Sequence, residues 1–134
     1  MKIFIDTNIF LDLILKREYY KEALQIFSAI EQNIFQGVIL DITILNIDYI
    51  AKKQTKDLRE FLMIVNKIFK ITGGTNLSIK DALKLENNDL EDNLQYICAK
   101  ELDCQIIVTN DKNFINKDIN LMTSYYFCSK YLNK

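Results

Sequence analysis

The chain predicts an α/β fold, a three-layer arrangement with a central parallel sheet of four to five strands between helices. Three observations carry that expectation. Short apolar runs alternate with helical stripes from end to end, the order that builds strand–helix–strand units. The short runs are apolar continuously rather than at every second residue, as in strands covered on both faces. With no proline and only Gly37, Gly73 and Gly74, nothing reads as a flexible linker. The 134 residues are therefore expected to form a single domain over 1–134.

Lys2-Ile3-Phe4-Ile5 reads as the first strand, ending at Asp6-Thr7-Asn8, residue types that start helices. Ile9 to Lys16 follows as a helix. Tyr20 to Asn33 carries Ala23, Leu24, Phe27 and Ile30 at helical spacing. Val38-Ile39-Leu40 is a second strand, followed by helices over Ile42–Lys53 and Asp57–Asn66. Phe69 to Thr72 is a third strand, stopped by Gly73-Gly74. Ser78 and Asp81 have capping-box spacing for a short helix to Leu85. Leu90 to Leu102 is a helix, Cys104 to Thr109 the clearest strand, Ile119 to Met122 a weak one, and Tyr125 to Leu132 a closing helix.

Composition narrows the function. Apolar residues at 49% and charged residues at 26% describe a globular chain. A net charge of −1 supplies no global positive field, so a nucleic-acid substrate needs a local basic patch or a bridging metal. The absence of histidine excludes imidazole zinc sites and histidine-based triads. Cys98, Cys104 and Cys128 are odd in number and lack CxxC spacing, so reduced, buried thiols and a cytoplasmic location are expected. The early charge at Asp6 argues against a signal peptide, and no apolar run reaches the roughly 20 residues of a membrane span.

Right-handed crossovers place every strand-to-helix turn at one sheet edge, where ligands of open α/β sheets bind. Asp6 ends the first strand, Asp111 follows the strand at 105–109, and Asp92 lies in the first turn of the helix between them. Three carboxylates so gathered repel one another, and one is forced to take up a proton. A Mg²⁺ or Mn²⁺ ion removes the conflict, because hard cations take carboxylate oxygens. It also lowers the pKa of a bound water and steadies a phosphodiester transition state. Plainer readings stand beside this one. Asp6 and Asn8 fit a turn and N-cap, Asp89 and Asp92 a capping pair, and Asp111 the cap of a short helix through Ile115.

Asp6-Thr7-Asn8-Ile9-Phe10-Leu11-Asp12 resembles the opening motif of PIN domains. Asp89-Leu90-Glu91-Asp92-Asn93-Leu94-Gln95-Tyr96 looks like their acidic helix start, and Ile107-Val108-Thr109-Asn110-Asp111-Lys112-Asn113-Phe114 is similar to their last acidic strand end. The three motifs occur in order over the whole chain. The resemblance implies a PIN fold and a Mg²⁺- or Mn²⁺-dependent ribonuclease. Small stand-alone members are commonly VapC-like toxins of type II toxin–antitoxin systems, homodimeric and silenced by a cognate antitoxin. Carried over, Asp6, Asp92 and Asp111 are the metal ligands and catalytic acids, Thr109 orients Asp111, and Asn8 supports Asp6.

One departure stands out. PIN domains usually carry an acid in the helix after strand two, and the matching position is Asn46. Asp48 is two positions on, about 200° around the helix, and cannot share that face. Asp41, right after strand two, either compensates or caps the helix. Lys52, Lys53, Lys56 and Arg59 cluster at a helix junction, and Lys112 flanks the acids. These cations are either a solvated face or phosphate contacts, with Lys52, Lys53 and Lys112 the candidate RNA-binding residues. Phe10, Leu11, Leu13, Ile14, Phe27 and Ile30 read as core, with a dimer or antitoxin groove on the first two helices as the alternative. Two functions remain: a toxin-type endoribonuclease, with Asn46, Asp41 and Asp89 as accessory groups, or a catalytically weak PIN module that binds RNA or protein.

Overall fold

A computed structural model of the chain describes residues 1–133. Five strands, β1 (Lys2–Ile5), β2 (Gln36–Leu40), β3 (Lys70–Thr72), β4 (Ile106–Val108) and β5 (Asn120–Met122), form one sheet in the order β3-β2-β1-β4-β5. Every neighbouring pair is parallel, with Ile3 opposite both Gly37 and Ile106. Seven helices connect and flank the strands: α1 (Thr7–Ile14), α2 (Tyr20–Glu31), α3 (Asp41–Ala51), α4 (Leu58–Ile68), α5 (Asn76–Lys84), α6 (Leu90–Glu101) and α7 (Ser124–Tyr131). The expected parallel sheet of four to five strands between helices is what the chain forms, with five strands.

Strand alternation divides the core in two. Ile3, Ile5, Ile39, Ile106 and Val108 face α1, α2, α3, α4 and α7, where Phe10, Ile26, Ile47, Val65 and Phe127 are buried. Phe4, Val38, Leu40 and Ile107 face the other way, onto Tyr96, Cys98 and Ala99 of α6, with α5 packed against α6. Both faces of each central strand are buried, which is why these strands read as unbroken apolar runs. The three thiols are free and buried. Among the described residues no helix is long and apolar enough to cross a membrane.

Several local expectations differ from the structure. Asp41 is the first residue of α3 rather than its N-cap, which is Leu40; the Asp41 carboxylate accepts from the Ile42 N–H at 2.7 Å. The capping box at α5 is formed by Thr75 and Ser78, not Ser78 and Asp81. No helix runs through Asn113–Ile115; Asp111 Oδ1 instead accepts from the Asn113 N–H at 2.9 Å and closes a turn. Phe10, Leu11 and Ile30 are buried, and Leu13, Ile14 and Phe27 pack on the core, so α1 and α2 leave no groove of those residues. The exposed apolar side chains lie elsewhere, with Leu45 and Tyr49 on α3 and Met63 on α4 at 68%, 78% and 72% exposure.

Candidate functional site

The chain winds β1-β2-β3 to one side of the sheet and β4-β5 to the other, so its direction of winding switches between β1 and β4. A crevice opens at such a switch, outside the carboxyl ends of the strands. Asp6 follows β1 there, its N–H bonded to the Val108 carbonyl at 3.0 Å, and Thr109-Asn110-Asp111 follows β4. The first turn of α6 enters the same crevice with Asp89, Glu91 and Asp92. Asp89 caps the helix by accepting from the Asp92 N–H at 3.1 Å, so the capping reading and the clustering hold together.

Carboxylate oxygens of Asp89, Asp92 and Asp111 lie within 4.8 Å of one another. Asp6 sits beside them, buried, and each of its carboxylate oxygens accepts one hydrogen bond, which leaves a lone pair free on each. Thr109 Oγ1 donates to Oδ2 at 2.8 Å and Gln95 Nε2 to Oδ1 at 3.2 Å. Thr109 also accepts from the Asp111 N–H at 3.1 Å. Its hydroxyl thus serves Asp6, and it holds Asp111 through the backbone alone. Asn8, expected to support Asp6, is exposed in a neighbouring cleft instead.

The electrostatics are those of a crowded acidic pocket. Burial pushes Asp6 above the ordinary carboxylate value, opposed by its bonds to Thr109 and Gln95 and reinforced by Asp111. Asp92 is pushed up to about 8, first by burial and then by Asp6, Asp89 and Asp111. Glu91 is also raised, by burial ahead of the charges of Asp6 and Asp89. Asp92 Oδ2 and Gln95 Oε1 are buried without a hydrogen-bond donor. Unpaired buried oxygens are costly. A divalent cation is the group that would satisfy such a set, since it takes oxygen donors and neutralises several charges at once.

Sequence reading missed Glu91, Gln95 and Arg17. Gln95 stands three residues after Asp92, a helical neighbour on the same face, so spacing alone pointed to it. Glu91 has no such signal. Its carboxylate accepts from Asn46 Nδ2 at 2.7 Å and from Thr7 Oγ1 at 3.3 Å, contacts across 45 and 84 residues. Arg17 lines an open cleft of about 410 Å³ with Asn8, Asp12, Glu18, Tyr19, Asn110 and Asp111. Asn110 braces that cleft, its side chain exchanging bonds with Ser124 at 2.9 and 3.0 Å.

Other candidates are not brought to the cluster. Asp41 follows β2, and its Oδ2 lies where a Cβ on Gly73 would come within 2.8 Å, a strand away from the crevice. Lys52 and Lys53 stand at the far end of α3, about 9 Å of helix beyond Asn46, and Lys52 Nζ lies 6.0 Å from the Tyr49 ring centroid. Asp48 faces α4, where its carboxylate is 3.9 Å from Arg59. Lys112 is exposed and adjoins Asp111.

A doubly wound parallel sheet with carboxylates gathered at its switch point defines a class of α/β proteins with an acidic crevice. Comparison with known proteins assigns the family. The PIN domain family model matches residues 2–113, and the chain belongs to the PIN domain family. It is 30% identical over 138 residues to Ribonuclease VapC1 of Aquifex aeolicus (strain VF5), covering 97% of this chain and 95% of that protein. Its fold is similar to a toxin–antitoxin complex from Klebsiella pneumoniae, with a TM-score of 0.70, 23% identity, 92% of this chain and 98% of that chain covered. It is also similar to VapBC2 from Rickettsia felis bound to a DNA fragment from their promoter, with a TM-score of 0.68, 19% identity and the same coverage.

Proposed function

We propose that the protein is a metal-dependent endoribonuclease that cleaves RNA phosphodiester bonds as the toxin of a type II toxin–antitoxin pair. The observation that carries this reading is the Asp92 carboxylate, buried with one oxygen unpartnered among Asp6, Asp89 and Asp111. The 30% identity to a ribonuclease over nearly the whole chain supports it. Asp6, Asp92 and Asp111 would hold Mg²⁺ or Mn²⁺, with Asp89 close enough to join them. When bound, such an ion stabilises charge on the phosphodiester and lowers the pKa of a water.

The chain's own residues do the rest. Thr109 and Gln95 fix the Asp6 carboxylate in one orientation, so little reorganisation remains when charge arrives. The cleft beside Asp111 offers Arg17 for a backbone phosphate and Tyr19 as an exposed ring for a base, while Lys112 adds a cation at the rim. These contacts position RNA without reading its sequence. The exposed Leu45, Tyr49 and Met63 suit a protein partner, an antitoxin or a second copy of the chain. A single domain accounts for the chain, and a cytoplasmic location fits its reduced thiols.

The test is cleavage of single-stranded RNA by metal-stripped protein titrated with Mn²⁺ or Mg²⁺. Activity should appear with the metal and fall by about 100-fold or more, about 3 kcal/mol of transition-state stabilisation, in Asp6→Asn, Asp92→Asn or Asp111→Asn. A second reading, a catalytically weak PIN module that binds RNA or protein, is favoured by the neutral Asn46. It gains if RNA binds but none of the three substitutions changes cleavage.

A further inference from the structure

We propose that Glu91 is the carboxylate that completes the cation site of this chain, and that Asn46 is the residue that positions it. The inference rests on the metal-dependent nuclease reading. Asn46 Nδ2 donates to Glu91 Oε1 at 2.7 Å, a length typical of bonds to an ionised acceptor. Thr7 Oγ1 lies 3.3 Å from Glu91 Oε2 and 3.2 Å from Thr43 Oγ1. Donors on α1 and α3 therefore hold both oxygens of an acid carried by α6.

None of these donors is a cation. The ion pairs among the described residues are Arg59–Asp48 and Lys100–Asp118, and neither involves Glu91. A half-buried carboxylate clamped by neutral donors has no cation beside it to offset its charge, which leaves that charge for a further partner. The adjoining pocket needs the opposite charge, since Asp92 Oδ2 is buried beside Asp89 and Asp111 without a donor. Residue 46 must be neutral for this to work. A carboxylate at 46 would face Glu91 across 2.7 Å and repel it. The negative charge is thus supplied from α6, and α3 supplies the donor that aims it.

The pair can be reversed at nearly constant shape. Glu91→Gln removes the charge, and adding Asn46→Asp returns it on α3 with the same hydrogen bond running the other way. Mn²⁺ affinity of the metal-stripped chain is read by calorimetry, with melting in EDTA as the fold control. Glu91→Gln should weaken Mn²⁺ binding by about 10-fold, and the double exchange should recover most of that loss. Asn46→Ala should weaken binding by less, and add nothing in the Glu91→Gln background. The proposal is overturned if Glu91→Gln binds Mn²⁺ like wild type, or if the reversed pair binds no better than Glu91→Gln. Failure of the wild-type chain itself to bind Mn²⁺ would sink the nuclease reading beneath it, a separate outcome.

Discussion

Replacing Asp92 by Asn should stabilise the metal-free protein. Asp92 is held at about 8, where an ordinary aspartate lies at 3.8, because burial and three neighbouring carboxylates disfavour its charged form. Between those values the folded state keeps a proton that the unfolded chain has released, so stability falls as pH rises from about 4 to about 8. At about 1.4 kcal/mol for each tenfold change in proton affinity, the displacement caps the effect at about 6 kcal/mol. Relaxation and water entry raise the effective dielectric and reduce this to about 2–3 kcal/mol. An amide cannot ionise, and the residue-92 N–H that Asp89 caps is untouched. Thermal unfolding in EDTA followed by circular dichroism should show Asp92→Asn melting about 6–9 °C above wild type at pH 8. The gap should close toward pH 4. Saturating Mn²⁺ should narrow or reverse it, because wild type, with one more carboxylate in the site, gains more stability from the ion. A variant that melts at or below wild type in EDTA at pH 8 would refute the crowded-carboxylate account.

Two further outcomes follow from specific contacts. Thr109→Val keeps the shape but removes the hydroxyl that donates to Asp6 and accepts from the Asp111 N–H. Urea unfolding should show a loss of about 1–3 kcal/mol, and calorimetry a Mn²⁺ affinity lower by about 10-fold or more; unchanged values would remove Thr109 from the site. Gly37→Ala would place a Cβ 2.7 Å from the Phe69 ring and 2.8 Å from Ile30 Cδ1. That overpacking should cost about 1–3 kcal/mol by urea midpoint, and a neutral result would mean that Phe69 can move aside.

Much of the architecture was legible because it rests on local pattern. Strands buried on both faces must be apolar throughout, so Phe4, Ile39 and Ile107 announce themselves. Helix starts are marked by short-range chemistry, although the capping residue shifts by one to three positions, to Leu40 from Asp41 and to Thr75 from Ser78. The placement of Asp6 and Asp111 followed from topology: once the strands are parallel, their carboxyl ends share an edge. The Asp92 oxygen could be placed near them because it stands in the first turn of the connecting helix.

The sequence by itself determined the sheet, its handed connections, the edge where the acids gather and the neutral residue at 46. Only the tertiary structure decided what surrounds those acids. Thr109 turns to Asp6, Asn8 faces away, and Glu91 reaches Asn46 and Thr7 across gaps of 45 and 84 residues. The physical reason is range. Periodicity and capping act over a few residues along the chain, whereas a hydrogen bond between helices depends on how two of them pack across the sheet.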